Sequence, residues 1–470
     1  MHEVPLITGA VRDAPAYVLL ELSPDVEACL SKHGAPLLLN GRLADEATLS
    51  TADATYAVRQ VTQSNSLLLC GWAGANGGSV AGDHASGAAR DAPPSAVPHL
   101  HLRQNASDIL ELIRTTPRLD RLVALLHASE YAGESAHGAC APSPRPAPRL
   151  YTAPEVRSIV QASDGELRRG LRMHHTIELD GYLRRVSPAF LWIQLRVLLN
   201  QLDVLACEPD EVPYGPATAA LVASGSHPAV AHAIVADWFG AATDRANPPP
   251  AGARTGRGSH ASSSFSPSLS PSSPPPLCIP PPFSVALAPE SIAQFAGLEL
   301  LKEAKRVPLT RFIEAWRTQL GPLAAAASFH LLRGHVLLYP PPASFASVSA
   351  HSAPTRTTRA ALMAALSLQY FPHTQLPMSP VQRFQELFQL RPQWVREELV
   401  PFVDALALPG TKKGGIDALL LKYGRSCSAT WTDAHAAVLL RGDWDADGAS
   451  SGDGVRRDAS CTLVQTRVKY

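Results

Sequence analysis

A proline- and serine-rich stretch in the middle of the chain constrains the fold more than any other feature. Residues 247–282 contain 11 Pro, 9 Ser and 3 Gly among 36 positions. Such a composition cannot bury enough apolar surface to offset the entropy lost on ordering, so we predict that this segment is disordered. The folded structure must therefore be built from the sequence on either side of it. With 470 residues in total, the chain is long enough for two to four domains.

The charge balance and the cysteines exclude several classes of protein. The chain has 41 Lys and Arg against 41 Asp and Glu, which excludes a uniformly basic nucleic-acid coat protein but leaves room for a local basic face. Seven cysteines without a C-x-x-C pair argue against a disulfide framework or a zinc site. The sequence has neither a secretory signal pattern nor a long apolar run, so we expect a soluble intracellular protein without membrane contact.

The first 72 residues alternate short apolar runs with turn-forming residues, which is typical of strands. Five strands are predicted: Tyr17–Leu22, Pro36–Arg42, Ala47–Thr51, Thr55–Val61 and Ser66–Cys70. Asn40-Gly41 and Ser64-Asn65 are the predicted turns between strands. Two arrangements stay open for so small a sheet: a β-domain that covers its own edges, or half of an interface that a partner's strands complete. The candidate partner-binding residues are Leu20, Leu22, Tyr56, Val58, Leu67 and Leu69.

The pattern becomes helical after residue 100. Apolar spacing predicts a helical segment over residues 107–127. Thr152 and Glu155 have the spacing of a capping box, which predicts the start of a helix, and a second helix is expected from Ser163. Asp180-Gly181 then predicts a tight hairpin turn. Two helices followed by a hairpin are typical of a winged-helix unit.

The C-terminal region repeats this order. Ser379-Pro380 opens the first of three amphipathic helices, and the β-prone run 429–440 follows the third. The predicted fold class is therefore α+β, with a small N-terminal sheet or half-barrel followed by winged-helix domains in series. The predicted divisions are a β-domain over 1–72, a linker over 73–150, winged helices over 151–212, 213–340 (interrupted by 247–282) and 379–441, a linker or helix over 341–378, and a loose tail over 442–470.

A local excess of positive charge accompanies the C-terminal helices. Residues 291–441 contain 16 Lys and Arg but 9 Asp and Glu. The candidate DNA-binding residues flank the third helix: Lys412, Lys413, Lys422 and Arg425. Further cations are expected on the two preceding helices: Arg383, Arg391 and Arg396. The pattern suits contacts with phosphates rather than base readout, and an ordinary solvated face is the alternative.

Motifs of the common enzyme classes are missing from the sequence. It has no P-loop, no dinucleotide-binding glycine pattern and no H-E-x-x-H. One G-x-S-x-G match, at residues 448–452, lacks the preceding strand and following helix of a nucleophile elbow. We therefore expect no catalytic residue, no cofactor and no metal site.

An ordered set of short stretches resembles a known family. Residues 19–22, 40–41, 55–58 and 64–69 resemble the sister chromatid cohesion proteins that form the accessory, non-ATPase subunit of the alternative, cohesion-linked replication factor C clamp loader. Further stretches are similar to the same family in the same order: 151–163 with Gly181-Tyr182, 308–316, and 383–423 with Arg383-Phe384, Leu387-Phe388, Trp394, Glu398 and Ala418–Tyr423. The insertions at 71–98, 133–148 and 247–282 are longer than the family requires, and the tail from Trp431 has no counterpart in it.

The resemblance implies a non-catalytic nuclear protein. In that family the N-terminal strands join strands of the large clamp-loader subunit and of a second small subunit, so completion of the sheet by partners becomes the expectation. The winged-helix domains contact single- and double-stranded DNA, and the module docks on the catalytic subunit of DNA polymerase epsilon. The complex acts on the sliding clamp at replication forks and supports sister chromatid cohesion. The alternative is a winged-helix scaffold that binds proteins but no nucleic acid.

Overall fold

The computed structural model describes most of the chain. The described residues are 6–7, 17–31, 37–43, 45–73, 99–134, 149–241, 284–346, 359–407, 415–431, 435, 438–439 and 459–467. The predicted disordered segment 247–282 lies outside them, as do most of the insertions at 71–98 and 133–148. The chain divides into a first unit, residues 1–119 and 157–168, and a second unit, residues 120–156 and 169–470.

The first unit is built on a six-stranded sheet. Its strands are β1 (Leu6–Ile7), β2 (Leu19–Glu21), β3 (Leu38–Asn40), β4 (Thr48–Ser50), β5 (Thr55–Ala73) and β6 (His99–Thr115). The strand order is β1-β6-β5-β4-β3, and β2 also pairs with β6. Helix α1 (Pro24–Ser31) packs Val26 against Tyr56 and Ala54 in a small apolar core. Residues 157–168 add polar contacts, since the Ser163 amide donates to Thr55 Oγ1 at 2.9 Å.

Two predictions for this sheet are wrong. Ser64-Asn65 is not a turn, because β5 continues through it with a shift in register against β6 between Thr62 and Leu67. Residues 107–115 are not helical but form half of β6, and the helix predicted there is confined to α2 (Asp120–Leu126). Their apolar spacing suits a helix, but the long antiparallel pairing with β5 and the cross-strand contacts that it brings override this local preference.

The predicted helix–helix–hairpin follows α2 along the chain and is confirmed. It comprises α3 (Ala153–Ile159), α4 (Asp164–Met173), β7 (Thr176–Leu179) and β8 (Tyr182–Arg185). The end of α3 and the start of α4 belong to the first unit, which includes residues 157–168. Thr152 and Glu155 form the capping box, in which the Thr152 amide donates to Glu155 Oε2 at 2.8 Å. Asp180 and Gly181 both have positive φ, 53° and 81°, as a two-residue hairpin turn of this type requires.

Three successive groups of elements in the second unit share one order. Each has a helix, a short strand, one or two further helices, and two strands of which the last pairs with both others. In the second group a helix also lies between the last two strands. The first group comprises α5 (Pro188–Leu205), β9 (Val212–Pro213), α6 (Tyr214–Ala223), α7 (Pro228–His232), β10 (Gly240–Ala241) and β11 (Ser284–Leu287). The second comprises α8 (Pro289–Glu303), β12 (Val307–Pro308), α9 (Leu309–Leu320), β13 (Val336–Tyr339), α10 (Arg359–Ala365) and β14 (Ser367–Tyr370). The third comprises α11 (Pro380–Leu390), β15 (Gln393–Val395), α12 (Arg396–Val403), α13 (Ile416–Tyr423), β16 (Gly424–Trp431) and β17 (Ala459–Thr466).

The prediction of a loose tail over 442–470 is wrong for residues 459–466, which form β17 of the third group. Strand β17 is the central strand of its sheet, paired antiparallel with β15 and with the whole of β16. Leu463 and Val464 are fully buried there. The amphipathic character expected of α11 and α12 is confirmed by the burial of Phe384, Leu387 and Phe402, whereas Val381 at the start of α11 is exposed.

The chain is thus an α+β protein with small sheets and many helices. Across the described ranges, no helix combines the length and apolar character needed to cross a bilayer.

Candidate functional site

Among the described strands, none pairs with one edge of β5 over most of its length. β4 pairs only with Thr55, Tyr56 and Ala57, and the Val58 amide donates to the Ala47 carbonyl at 3.0 Å. Beyond that point β5 pairs with β6 on one side as far as Ala73. On its other side, the described part of the chain supplies no strand. We call residues 59–73 on this side the open edge.

The direction of the backbone groups along the open edge follows from the Val58 contact. Because backbone N–H and C=O groups alternate between the two sides of an antiparallel strand, Gln60 and Thr62 share the outward direction of Val58. Arg59 and Val61 instead face β6, where they pair with Glu111 and Ile109. Gln60 and Thr62 therefore offer hydrogen-bonding groups that an added strand could use.

The predicted partner-binding residues fall into two kinds. Leu22 and Leu67 are exposed, and Leu20, Val58 and Leu69 are half-buried. Tyr56 is only 2% exposed and packs with Val26 and Ala54, so its side chain supports the sheet from within.

Sequence reasoning missed other residues of this surface. Leu68 is 49% exposed on β5, and Ile113 is exposed on β6. It also missed Gln60 and Thr62 of the open edge, because β5 was divided into two short strands. The absence of Gly and Pro between Thr55 and Cys70 was the available signal for one continuous strand.

The two candidate DNA-binding residues that the structure describes lie where α13 meets β16. Lys422 is exposed in the last turn of α13, with Nζ 5.1 Å from the centre of the Tyr423 ring. Arg425 is exposed near the start of β16. Lys412 and Lys413 lie outside the described residues. Two of the four predicted cations are therefore exposed to solvent at this junction of helix and strand.

The expectation that Arg383, Arg391 and Arg396 add to this positive surface is wrong. Arg383 is buried and donates to the carbonyls of Leu376, Pro377 and Phe402 at 2.7–3.0 Å. Arg391 is buried too, and Arg396 pairs with Asp417 at 2.7 Å. Sequence counts of charge therefore overstate the charge that faces solvent in the third group.

Arg391 belongs to a buried ion pair that fastens the third group to the second. Its guanidinium lies 2.6 Å from Glu398 Oε1 and donates to the Leu338 carbonyl of β13. The rings of Tyr339 and Trp394 lie 4.8 and 5.1 Å from it. Burial raises the pKa of Glu398 to about 7, although the charge of Arg391 opposes this shift. The pair is a structural element rather than a reactive one.

A catalytic or metal-binding arrangement does not emerge from the described residues. Within them, no three His, Cys, Asp or Glu side chains are placed to hold a metal ion. Burial lowers the pKa of His175 and of His335 to about 4. His175 packs against the rings of Trp238 and Phe239, and His335 packs against the ring of His373, so both are neutral packing residues.

Comparison with known proteins gives a consistent result over most of the chain. Residues 17–403 match the family model described as Sister chromatid cohesion protein Dcc1. The chain is 22% identical over 412 residues to Sister chromatid cohesion protein DCC1 of Mus musculus, covering 87% of this chain and 84% of that protein. The protein of the same name from Xenopus laevis is 22% identical over 410 residues, with 87% and 86% covered. The one from Saccharomyces cerevisiae is 28% identical over 138 residues, which are 28% of this chain and 29% of that protein.

Proposed function

Because the chain belongs to the Dcc1 family of sister chromatid cohesion proteins, we propose that it is a non-catalytic subunit of an alternative replication factor C complex. In this role it supports DNA replication and sister chromatid cohesion in the nucleus, and the complex acts on the sliding clamp at replication forks. The first unit binds the large subunit and a second small subunit. The second unit contacts DNA and the catalytic subunit of DNA polymerase epsilon.

The open edge of β5 is the observation that carries this proposal. An unpaired strand edge attracts further strands, and proteins normally cover such edges or use them for binding. Here the open edge has polar backbone groups at Gln60 and Thr62 and exposed apolar side chains at Leu67 and Leu68. Main-chain hydrogen bonds would supply affinity for an added strand, and the leucines would supply apolar contact.

A proline placed on the open edge tests this role. We expect Gln60→Pro to prevent strand addition, because proline removes the outward N–H at position 60. The ladder between β5 and β6 should survive, since Arg59 and Val61 make the contacts on that side. Gln60→Val is the matched control, because valine retains the N–H and favours strands.

The measurement is co-purification of the full chain with recombinant large and second small subunits. The unchanged chain and Gln60→Val should co-elute with both, and Gln60→Pro should lose them, as should a deletion of residues 1–72. Equal recovery with Gln60→Pro and Gln60→Val would contradict strand addition at this edge.

The shared order of elements in the three groups supports winged-helix domains in series. Helix, strand, helices and a hairpin returning to the first strand describe the winged-helix topology. In the third group, Lys422 and Arg425, with Lys412 and Lys413 in the connection before α13, are the proposed phosphate contacts. Binding through these cations should depend on salt and only weakly on sequence.

A salt titration of DNA binding tests these contacts. Replacing both Lys422 and Arg425 by Glu should weaken binding and flatten the plot of log K against log salt by about 1.5 units, the amount for two lost phosphate contacts. Arg42→Glu with Arg168→Glu, at exposed sites of the first unit, is the control. An unchanged slope in the Lys422 and Arg425 variant would exclude this surface as the site.

The second candidate is a winged-helix scaffold that binds protein but no nucleic acid. It is favoured by α13 itself, where Leu421 is 72% exposed and Asp417 pairs with Arg396. An exposed leucine suits an apolar partner better than a phosphate backbone. The same titration separates the candidates, because a scaffold of this kind would show no DNA binding even at low salt.

A further inference from the structure

A small cavity lies between the second and third groups of the second unit. Its volume is about 20 Å³. Apolar side chains of both groups line it, among them Val336 and Phe402. Its polar lining consists of Arg333 from the second group and of Glu397, Glu398 and Trp431 from the third. A cavity of more than about 10–15 Å³ can hold one water molecule, provided that polar groups line it.

Two polar atoms without hydrogen-bond partners belong to residues that line this cavity. They are Nε1 of Trp431 and Oε2 of Glu397, and both atoms are buried. Trp431 as a whole is only 2% exposed. An unpaired buried polar atom loses its hydration without compensation, and in native proteins an ordered water is a usual partner.

The chemistry of the two atoms specifies what can fill the cavity. An indole N–H can only donate a hydrogen bond, and an ionised carboxylate can only accept one. A metal cation would leave the N–H of Trp431 unpaired and would face the charge of Arg333, which also lines the cavity and interacts with Glu397. An anion would leave Oε2 of Glu397 unpaired. A water molecule accepts from one group while it donates to the other, and the cavity has room for one.

We propose that a single buried water bridges the indole N–H of Trp431 and the carboxylate of Glu397. The bridge joins the end of β16 to the start of α12, against residues of the second group. It adds a polar contact near the ion pair of Arg391 and Glu398, from which Arg391 also donates to the Leu338 carbonyl of the second group. The water is therefore an ordered component of the interface between these two groups.

A crystal structure of the full chain at about 1.5 Å tests the proposal directly. We expect one density peak within about 2.7–3.2 Å of both Trp431 Nε1 and Glu397 Oε2. An empty cavity, or a peak with the contacts of a metal ion, would overturn the proposal.

Thermal unfolding gives a second test through coupling between the two residues. Trp431→Phe removes the donor, and Glu397→Leu removes the acceptor. If one water joins them, the double variant should lower the midpoint by no more than the larger single effect, because either change already breaks the bridge. Additive midpoint shifts would contradict a shared water.

A measurement on the unchanged protein covers the case in which the variants do not fold. The indole proton of Trp431 should show an NMR cross-peak to a long-lived water. Its absence, with the Trp431 indole signal assigned, would count against the bridge.

Discussion

Glu398 is a residue whose protonation the fold controls through burial. It lies against Arg391 in the buried pair, and burial raises its pKa from the ordinary value of 4.5 to about 7. Between those two pH values the folded chain holds a proton that the unfolded chain has released. The contribution of this group to stability is therefore complete below about pH 4.5 and is lost as the pH rises towards 7.

Glu398→Gln should remove this pH dependence. Glutamine does not titrate, but its carbonyl oxygen can still accept from Arg391. Between pH 4.5 and 7, the unchanged protein should lose about 3 kcal/mol of unfolding free energy that the variant does not lose. Urea unfolding at several pH values measures the difference, and Glu314→Gln, at an exposed position of α9, is the control. Parallel pH profiles for Glu398→Gln and the unchanged chain would contradict the assignment.

Individual residues also show what sequence can and cannot predict at this scale. The capping box of Thr152 and Glu155 was predictable, because its two partners are three positions apart. The burial of Arg383 and Arg391 was not, because the carbonyls of Phe402 and Leu338 that they bind come from other elements. A charged side chain is expected at the surface until such partners are known.

At the scale of elements, the same division between local and distant contacts recurs. The hairpin turn at Asp180-Gly181 and the apolar stripe of α12 depend on neighbouring residues, and both were predictable. Strand β6 depends on pairing such as that of Thr115 with Thr55, and β17 pairs with a strand that ends at Trp431. These pairings bridge long connections, so the local pattern alone could not reveal them.

In each of the three groups, the longest connection lies at the same place in the order of elements. These connections join the last two strands of each sheet, over residues 242–283, 340–366 and 432–458. Lengthening a connection between paired strands costs little free energy, because the entropy of closing a loop grows slowly with its length. This position can therefore accept insertions without disturbing the helices.

Shortening the connection between β10 and β11 should accordingly leave the fold intact. We expect that replacing residues 247–282 with a four-residue Gly-Ser linker changes the midpoint of thermal unfolding by less than about 2 °C. A matched deletion within β11, which pairs with both β9 and β10, should abolish the cooperative transition. A large loss from the linker replacement alone would show that the segment contributes to the folded structure.

At the scale of the whole molecule, membership of the Dcc1 family accounts for the division of labour that we propose. The resemblance of short, ordered stretches was sufficient to identify the family, which the match over residues 17–403 confirms. The α+β class was predictable too, whereas the open edge was not, because it depends on where β4 ends beside β5. Lys412, Lys413, Lys422 and Arg425 lie beyond the matched residues, so the proposed DNA contacts rest on charge and topology.

Completion of the sheet by another polypeptide is the central claim, and amide hydrogen exchange on β5 tests it most directly. In the free chain, the amides of Arg59 and Val61 should already be protected by β6, while those of Gln60 and Thr62 should exchange rapidly. On addition of the large and second small subunits, Gln60 and Thr62 should become protected as well. Rapid exchange at Gln60 and Thr62 in a complex that has demonstrably formed would contradict strand addition at the open edge.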